Sequence, residues 1–379
     1  MLRARAMGAM ALVVCLLACC SCRRPSGHGV PSLAYISALT DNWRLCVINV
    51  DGTGRWEFPS DHPLADSSLP VWSPDGRCLA VVMGRMAGSA PPTADAICLV
   101  EPYHDTYTRI YIETDTERTI DDVAWAPDGD RLGFGSAPSA IYLHPPPGGQ
   151  RGYEVWVVGS DGASPTRISA VGMGAGSPVW SPDGKWIAYG EWRQGKDPYE
   201  GLSRTREIVV AETGTWDYAK TIRGFPHLRL RAWSPAPAGY QVALVAEESH
   251  RATFVYGIFV ADIAAGAIRR LAKDHELGYG PQWSPDGAKL AFTADRDGRA
   301  QLAVIGSDGE GEALLTESAS NDMSPSWSPD GSQIAFLSDR AGAKQVFVLD
   351  VLSGEVRQVT DEPGDGVALR PPQWRPRAS

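Results

Sequence analysis

His227, His275 and Asp322 each stand five to eight residues before a tryptophan, Trp233, Trp283 and Trp327. Imidazole nitrogens and a carboxylate oxygen together suit a divalent metal acting as Lewis acid. The residues have no local ligand spacing, so only a fold that sets successive units side by side brings them to one mouth. His62 and, less directly, His104 occupy comparable stretches. The plainer reading is a set of solvated loop histidines with no shared ligand.

A second group suits contact rather than bond chemistry. The segment Gly190–Arg206 carries Trp192, Arg193, Tyr199 and Arg204, and Ser136–Gly152 carries Tyr142 and His144. Aromatic and guanidinium side chains dominate protein contact surfaces. The competing reading is side chains that pack within their own long loops. Other chemistry is not encoded. Gly201-Leu202-Ser203-Arg204-Thr205 lacks the final glycine of a nucleophile elbow. No glycine-rich loop ends in Lys-Ser or Lys-Thr, and the Asp-Gly pairs lack alternating oxygen ligands followed by Glu.

What positions these groups is a repeat. Trp-Ser-Pro-Asp-Gly stands at Trp72–Gly76, Trp180–Gly184, Trp283–Gly287 and Trp327–Gly331. Near copies cover Trp125–Gly129 and Trp233–Gly239, and a fragment stands at Trp374. Successive tryptophans are 53, 55, 53, 50, 44 and 47 residues apart. Units of that length cannot each close a core and must stack. Proline presets φ in a tight turn, Asp bonds its own backbone, and Gly accepts positive φ, so the phrase is a hairpin turn. A two-faced strand follows each turn, as in Leu79-Ala80-Val81 and Leu290-Ala291-Phe292.

Each unit parses as four strands, a to d. The first unit, from Leu33, lacks strand a, and Pro372-Gln373-Trp374 is a strand a with nothing after it. Joined, the two ends complete one unit and remove two open sheet edges. The expectation is an all-β, seven-bladed propeller of four-stranded antiparallel blades, six or eight blades fitting the repeat less well. The a–b and c–d turns then share one face. The b–c and d–a connections share the other, which varies and is the natural place for binding.

Composition agrees. The 379 residues include 40 Gly, 29 Pro and 13 Trp, with 21% charged residues, which suits many short strands. A net charge of −10 without a basic stripe argues against nucleic acid. Residues 1–22 read as a targeting segment: Arg3 and Arg5, an apolar run, then Leu16-Leu17-Ala18-Cys19. This resembles a lipobox with Cys19 as the lipidated residue, Cys22 second, and a plain signal peptide as the alternative. Residues 23–31 read as a tether and 32–379 as the propeller. Cys46, Cys78 and Cys98 read as small buried hydrophobes, with one bridge open as an alternative.

The repeat resembles that of the TolB family, with its W-S-P-D-G turn, L-A-F strand and a link seen here as Asp295-Arg296-Asp297-Gly298 and Ser338-Asp339-Arg340-Ala341-Gly342. The resemblance spans about Ser32 to Trp374 and implies the blade fold more than a function. Two departures are expected: seven blades where that family's namesake has six, and no N-terminal α/β domain. Similar propellers accompany hydrolase domains in peptidases, and some metal-using lyases of uronic-acid oligosaccharides resemble this blade. The reading is an exported, monomeric envelope scaffold that binds a protein or other envelope component and touches the membrane only through its lipid anchor. No cofactor is expected. The alternative is a metal-assisted lyase or other glycan-active enzyme with a divalent ion at the His227/His275/Asp322 mouth.

Overall fold

The computed structural model describes residues 31–379 except 40–41, 60–63, 66–68, 85–94, 105, 116–117, 139–152, 171–174, 198–200, 224–227, 236–239, 251–252, 273–279, 364–366, 368–369 and 378–379. The described residues form 28 strands in seven four-stranded antiparallel sheets and no helix. In blades 2 to 7 the strands follow chain order, from Val71–Trp72 in blade 2 to Val356–Gln358 in blade 7.

Blade 1 is the exception that closes the ring. Its strands b, c and d are Ser32–Leu39, Asn42–Asn49 and Trp56–Glu57, and its strand a is Gln373–Trp374 from the far end of the chain. Leu33 pairs with Trp374 and Ala34 with Gln373. Inner strands contact each other all the way round, including Gln373–Trp374 with both Asp322–Trp327 and Val71–Trp72.

The turn phrase behaves as its residue types require. Ser73 Oγ donates to Asp75 Oδ1 at 2.6 Å, and Asp75 Oδ1 accepts the Arg77 amide at 3.0 Å. Ser73 Oγ also accepts the Cys78 amide at 3.0 Å. The same bonds recur from Ser181, Ser284 and Ser328. Gly76, Gly129, Gly184, Gly287 and Gly331 all have φ between 67° and 76°, where a side chain would strain the backbone.

The tryptophans bind blade to blade. Each interface between neighbours has its own apolar cluster, and most of the repeat tryptophans are buried in one. Five of the seven donate Nε1–H to the preceding blade, and the buried Nε1 groups of Trp233 and Trp327 have no such acceptor among the described residues. Trp72 donates to Gln373 O at 3.1 Å, Trp125 to Val71 O at 3.1 Å and Trp180 to Ala124 O at 3.2 Å. Trp283 donates to Ala232 O at 3.3 Å and Trp374 to Ser326 O at 2.8 Å. In each case the acceptor is the carbonyl one residue before the tryptophan of the preceding blade. The indole thus satisfies its polar tip while filling the interface, and two of these bonds span the closure.

Proline stands two residues before the repeat tryptophan in five of seven units, at Pro70, Pro178, Pro281, Pro325 and Pro372. The pairing of strands a and b is bulged in blades 3, 4, 5 and 7, with left-handed residues at Asp122, Ser177 and Ser324. Strand a is an inner edge, where a sheet tolerates proline.

Candidate functional site

The b–c connections and the d–a connections share one face, as the order of strands requires. On it, the segment expected as a long loop, Gly190–Arg206, is largely a ribbon. In blade 4, strand b runs Trp186–Asp197 and strand c Gly201–Glu212, paired without interruption from Trp186↔Glu212 to Asp197↔Gly201. The sequence reading expected a loop here, and the structure instead continues both strands into it. Backbone pairing between the two strands does not depend on an alternating apolar pattern.

Strand a pairs only as far as Glu191 and strand d only as far as Glu207. Residues 192–197 and 201–206 pair with each other along the rest of the ribbon. Trp192 pairs with Arg206 and Gln194 with Arg204 on this arm. Tyr199 lies outside the described residues. Blade 5 carries a shorter arm, with strands Gln241–His250 and Thr253–Asp262 joined through His250↔Thr253. In blade 6 the arm is shorter still, and Asp297 (φ 55°) and Gly298 (φ 79°) make its turn. Tyr142 and His144 of blade 3 lie outside the described residues.

The metal candidates separate. His227, His275 and His62 lie outside the described residues. His104 is exposed and sits in the c–d turn of blade 2, between strands Ala96–Val100 and Tyr107–Ile112, on the face opposite the d–a connections. The expectation that His104 lies near the channel is not met.

Asp322 is fully buried and already engaged. Arg340 Nη2 donates to both of its carboxylate oxygens at 2.8 Å, and Ser318 Oγ donates to Oδ2 at 3.0 Å. Arg340 is held in turn by Ser338 Oγ at 3.0 Å and lies over the rings of Phe336 and Phe347. The Ser-Asp-Arg link is thus a strut from strand b to strand a of blade 7. A carboxylate bonded this way is a poor ligand for an added cation, so the site does not fit a metal through Asp322. Among the described residues no group of three or more His, Cys, Asp or Glu is placed to hold a metal.

The same use of buried acids recurs where residue reading saw nothing. Glu362, in the connection from blade 7 to the closing strand, accepts from Tyr35 Oη at 2.5 Å, Ser37 Oγ at 2.8 Å and Arg55 Nε at 2.7 Å. Burial pushes its carboxyl up, but bonds from Arg55, Tyr35 and Ser37 outweigh that and hold it below the usual range. In blade 3, Ser136 Oγ donates to Glu113 Oε2 at 2.8 Å and accepts from Arg118 Nε at 2.8 Å. Asp95 Oδ2 accepts the Ile120 amide of the next blade at 3.1 Å. In the channel, Ser177 Oγ donates to Asp122 Oδ2 at 2.9 Å between neighbouring bulges. A sequence offers no signal for such pairs, since partners lie 18 to more than 300 residues apart.

Cys46, Cys78 and Cys98 are free, Cys46 and Cys98 buried. Burial pushes the thiols of Cys46 and Cys98 up to about 12. They are packing groups, not nucleophiles.

Comparison with known proteins places this architecture. The family model of the TolB beta propeller domain matches residues 226–379. The chain is 30% identical over 158 residues to the Tol-Pal system protein TolB of Bordetella pertussis, covering 41% of this chain and 33% of that protein. It thus spans about a third of the length of the curated relatives it matches. Among solved structures, a puromycin-hydrolyzing peptidase of Mycobacterium tuberculosis superposes with a TM-score of 0.61 at 15% identity, covering 88% of this chain and 54% of that one. An oligogalacturonate lyase in complex with manganese gives a TM-score of 0.61 at 14% identity, covering 85% and 86%. At such identities these two likenesses speak for the fold alone. The sequence match, the tryptophan turn and the four-stranded blades agree: residues 226–379 match the TolB beta propeller domain, and the earlier blades repeat the same turn.

Proposed function

We propose that the chain is an exported envelope protein, anchored through Cys19, whose propeller is a non-catalytic, monomeric scaffold that binds an envelope protein or other envelope component. The observation that carries this is the contrast between the two faces. The a–b and c–d turns repeat one pattern, whereas the b–c hairpins differ from blade to blade, and that of blade 4 is a long paired ribbon. A rigid ring with one variable face is the usual arrangement for recognition. The buried acids on the described part of that face are tied to cations, hydroxyls or amides, which favours structural roles for them over acid–base work. The enzymatic alternative draws support only from likeness of fold to peptidase and lyase propellers, and fold does not carry activity.

The test replaces residues 192–206 with Asn-Gly, which closes strands b and c by a two-residue hairpin. The shortened protein is expected to keep its melting temperature within a few degrees and to lose capture of its partner from envelope extracts. Unchanged capture contradicts the binding face. Turnover of uronic-acid oligosaccharides, abolished by His227→Ala with His275→Ala, contradicts the non-catalytic reading.

A further inference from the structure

We infer that Arg375-Pro376-Arg377 is a clasp, a half-turn with its charge reversed. It closes the ring on the face of the a–b turns and, through the closing strand, steadies the b–c hairpin of blade 1 on the other face.

The a–b turns touch one another round the ring. A side chain at Gly129 would meet Pro74 at 3.9 Å, one at Gly184 would meet Pro127 at 3.5 Å, and one at Gly331 would meet Pro285 at 3.6 Å. Each of these turn glycines therefore lies on the turn proline of the preceding blade. Blade 5 has the altered phrase, and there Tyr240 Oη donates to Asp183 Oδ2 of blade 4 at 3.0 Å.

Blade 1 has no a–b turn, because its strands a and b come from opposite ends of the chain. Register sets Trp374-Arg375-Pro376-Arg377 where the other blades have Trp-Ser-Pro-Asp. The Arg375 amide donates to Ser32 O at 2.9 Å, as the Ser73 amide does to Cys78 O and the Ser328 amide to Gln333 O, both at 2.8 Å. Pro376 falls at the position of the turn proline. A side chain at Gly76 of blade 2 would meet its carbonyl at 2.9 Å. Arg375 Nε donates to Gly76 O at 2.7 Å, and its guanidinium lies 5.3 Å from the centre of the Trp72 ring. Arg377 stands at the position of the turn Asp, and its Nη2 donates to Oδ2 of Asp330, the turn Asp of blade 7, at 2.6 Å. Three residues thus join blades 7, 1 and 2. The reversed charge suits the place, since an Asp at 377 would set two carboxylates against each other.

The closing strand has little other hold on blade 1. Leu33↔Trp374 and Ala34↔Gln373 are its only paired positions with strand b. The first strands of blades 2 and 6 pair over two residues as well, but a covalent turn ties each to its strand b. Toward the other face, the Arg370 guanidinium lies 5.4 Å from the centre of the Trp43 ring. Trp43 belongs to the b–c hairpin of blade 1, opposite Ala38. The segment from Arg370 to Arg377 therefore reaches both faces, and its fixing at one bears on the hairpin at the other.

The test is hydrogen exchange on the full chain carrying Arg375→Ser with Arg377→Asp. These changes bring the segment closer to the repeat phrase, so a segment that is only a fragment of the repeat would tolerate them. Exchange should instead run at least about tenfold faster in Ser32–Leu39 and Asn42–Asn49. Ala175–Trp180, in blade 4, should stay within about twofold. Arg77→Ala removes a cation from the same face whose ion pair is with Asp75 of its own turn. It should leave all three segments within about twofold. If the double variant does not fold, Arg377→Asp alone is read. It should quicken Ser32–Leu39 at least about threefold at 50 mM NaCl, and by less at 500 mM, where the repulsion is screened. Unchanged exchange, equal quickening in all three segments, or an equal effect of Arg77→Ala overturns the clasp. Quickening in Ser32–Leu39 with Asn42–Asn49 unchanged overturns its reach to the hairpin.

Discussion

Replacing Glu362 with Ala should loosen the ring at its seam. The carboxylate is almost fully buried and accepts from Tyr35, Ser37 and Arg55, which belong to the opening strands of the chain. Removal leaves the Tyr35 and Ser37 hydroxyls without that acceptor, and both residues are fully buried. A buried polar group deprived of its partner costs about 1–3 kcal/mol. The Arg55 side chain is 37% exposed and regains water, so its lost ion pair adds little. The sum over the two hydroxyls is roughly 2–6 kcal/mol. For a ring of this length that is a fall of about 3–8 °C in melting temperature. Glu362→Gln, which keeps the shape and one acceptor, should lose roughly half as much. Glu310→Ala, at an exposed c–d turn, should stay within about 0.5 kcal/mol. Calorimetry on the three variants gives the order, and hydrogen exchange should quicken first in Ser32–Leu39. Equal melting temperatures for Glu362→Ala and Glu310→Ala would refute the idea that this carboxylate locks the closure.

Four further outcomes follow from the same contacts. Trp180→Phe removes the indole donor to Ala124 O but keeps an aromatic ring, and should cost about 1–2 kcal/mol by chemical denaturation, against about 3–5 for Trp180→Ala. Stability should fall in acid: hydroxyl bonds from Ser328 and Ser332 and the Ser332 amide hold Asp330 at about 2, and Glu362 also lies below its ordinary value. Depressed carboxyls contribute stability that is full above their unfolded values, near 4, and is lost as pH falls through the folded ones, so melting temperature should drop between about pH 5 and pH 2. Ser328→Ala should flatten the lower part of that curve. Native Cys46 and Cys98 should resist a thiol reagent at pH 8 and react on unfolding, since burial keeps both protonated. Asp322→Asn should lower the melting temperature by several degrees without altering metal content, because its partner is Arg340.

The ring was readable because its signals are local. Ser73, Asp75 and Gly76 bond within five residues, so the turn, the repeat and the split blade all follow from residue type. Pro178 and its equivalents carried a further local signal of an edge strand, which a reading of the tryptophans alone passes over. The candidate site was less readable because its determinants are not local. Asp322 and the His residues looked alike by distance from a tryptophan, yet Arg340, from the next strand, commits Asp322 to a structural strut. Glu362 gave no sign at all, its partners lying at the other end of the chain. Trp192 and Arg204 were expected in a loop, and the polar side chains of that segment concealed that it is a paired ribbon.

The central claim, that recognition belongs to the face of the b–c arms, is tested most directly by site-specific photo-crosslinking. A benzophenone side chain is placed either at position 199, between the two strands of the blade 4 arm, or at Thr213, in the c–d turn of the same blade on the opposite face. The account predicts a discrete partner adduct from position 199 and none from Thr213. An adduct from Thr213 alone, or the same adduct from both, would contradict it.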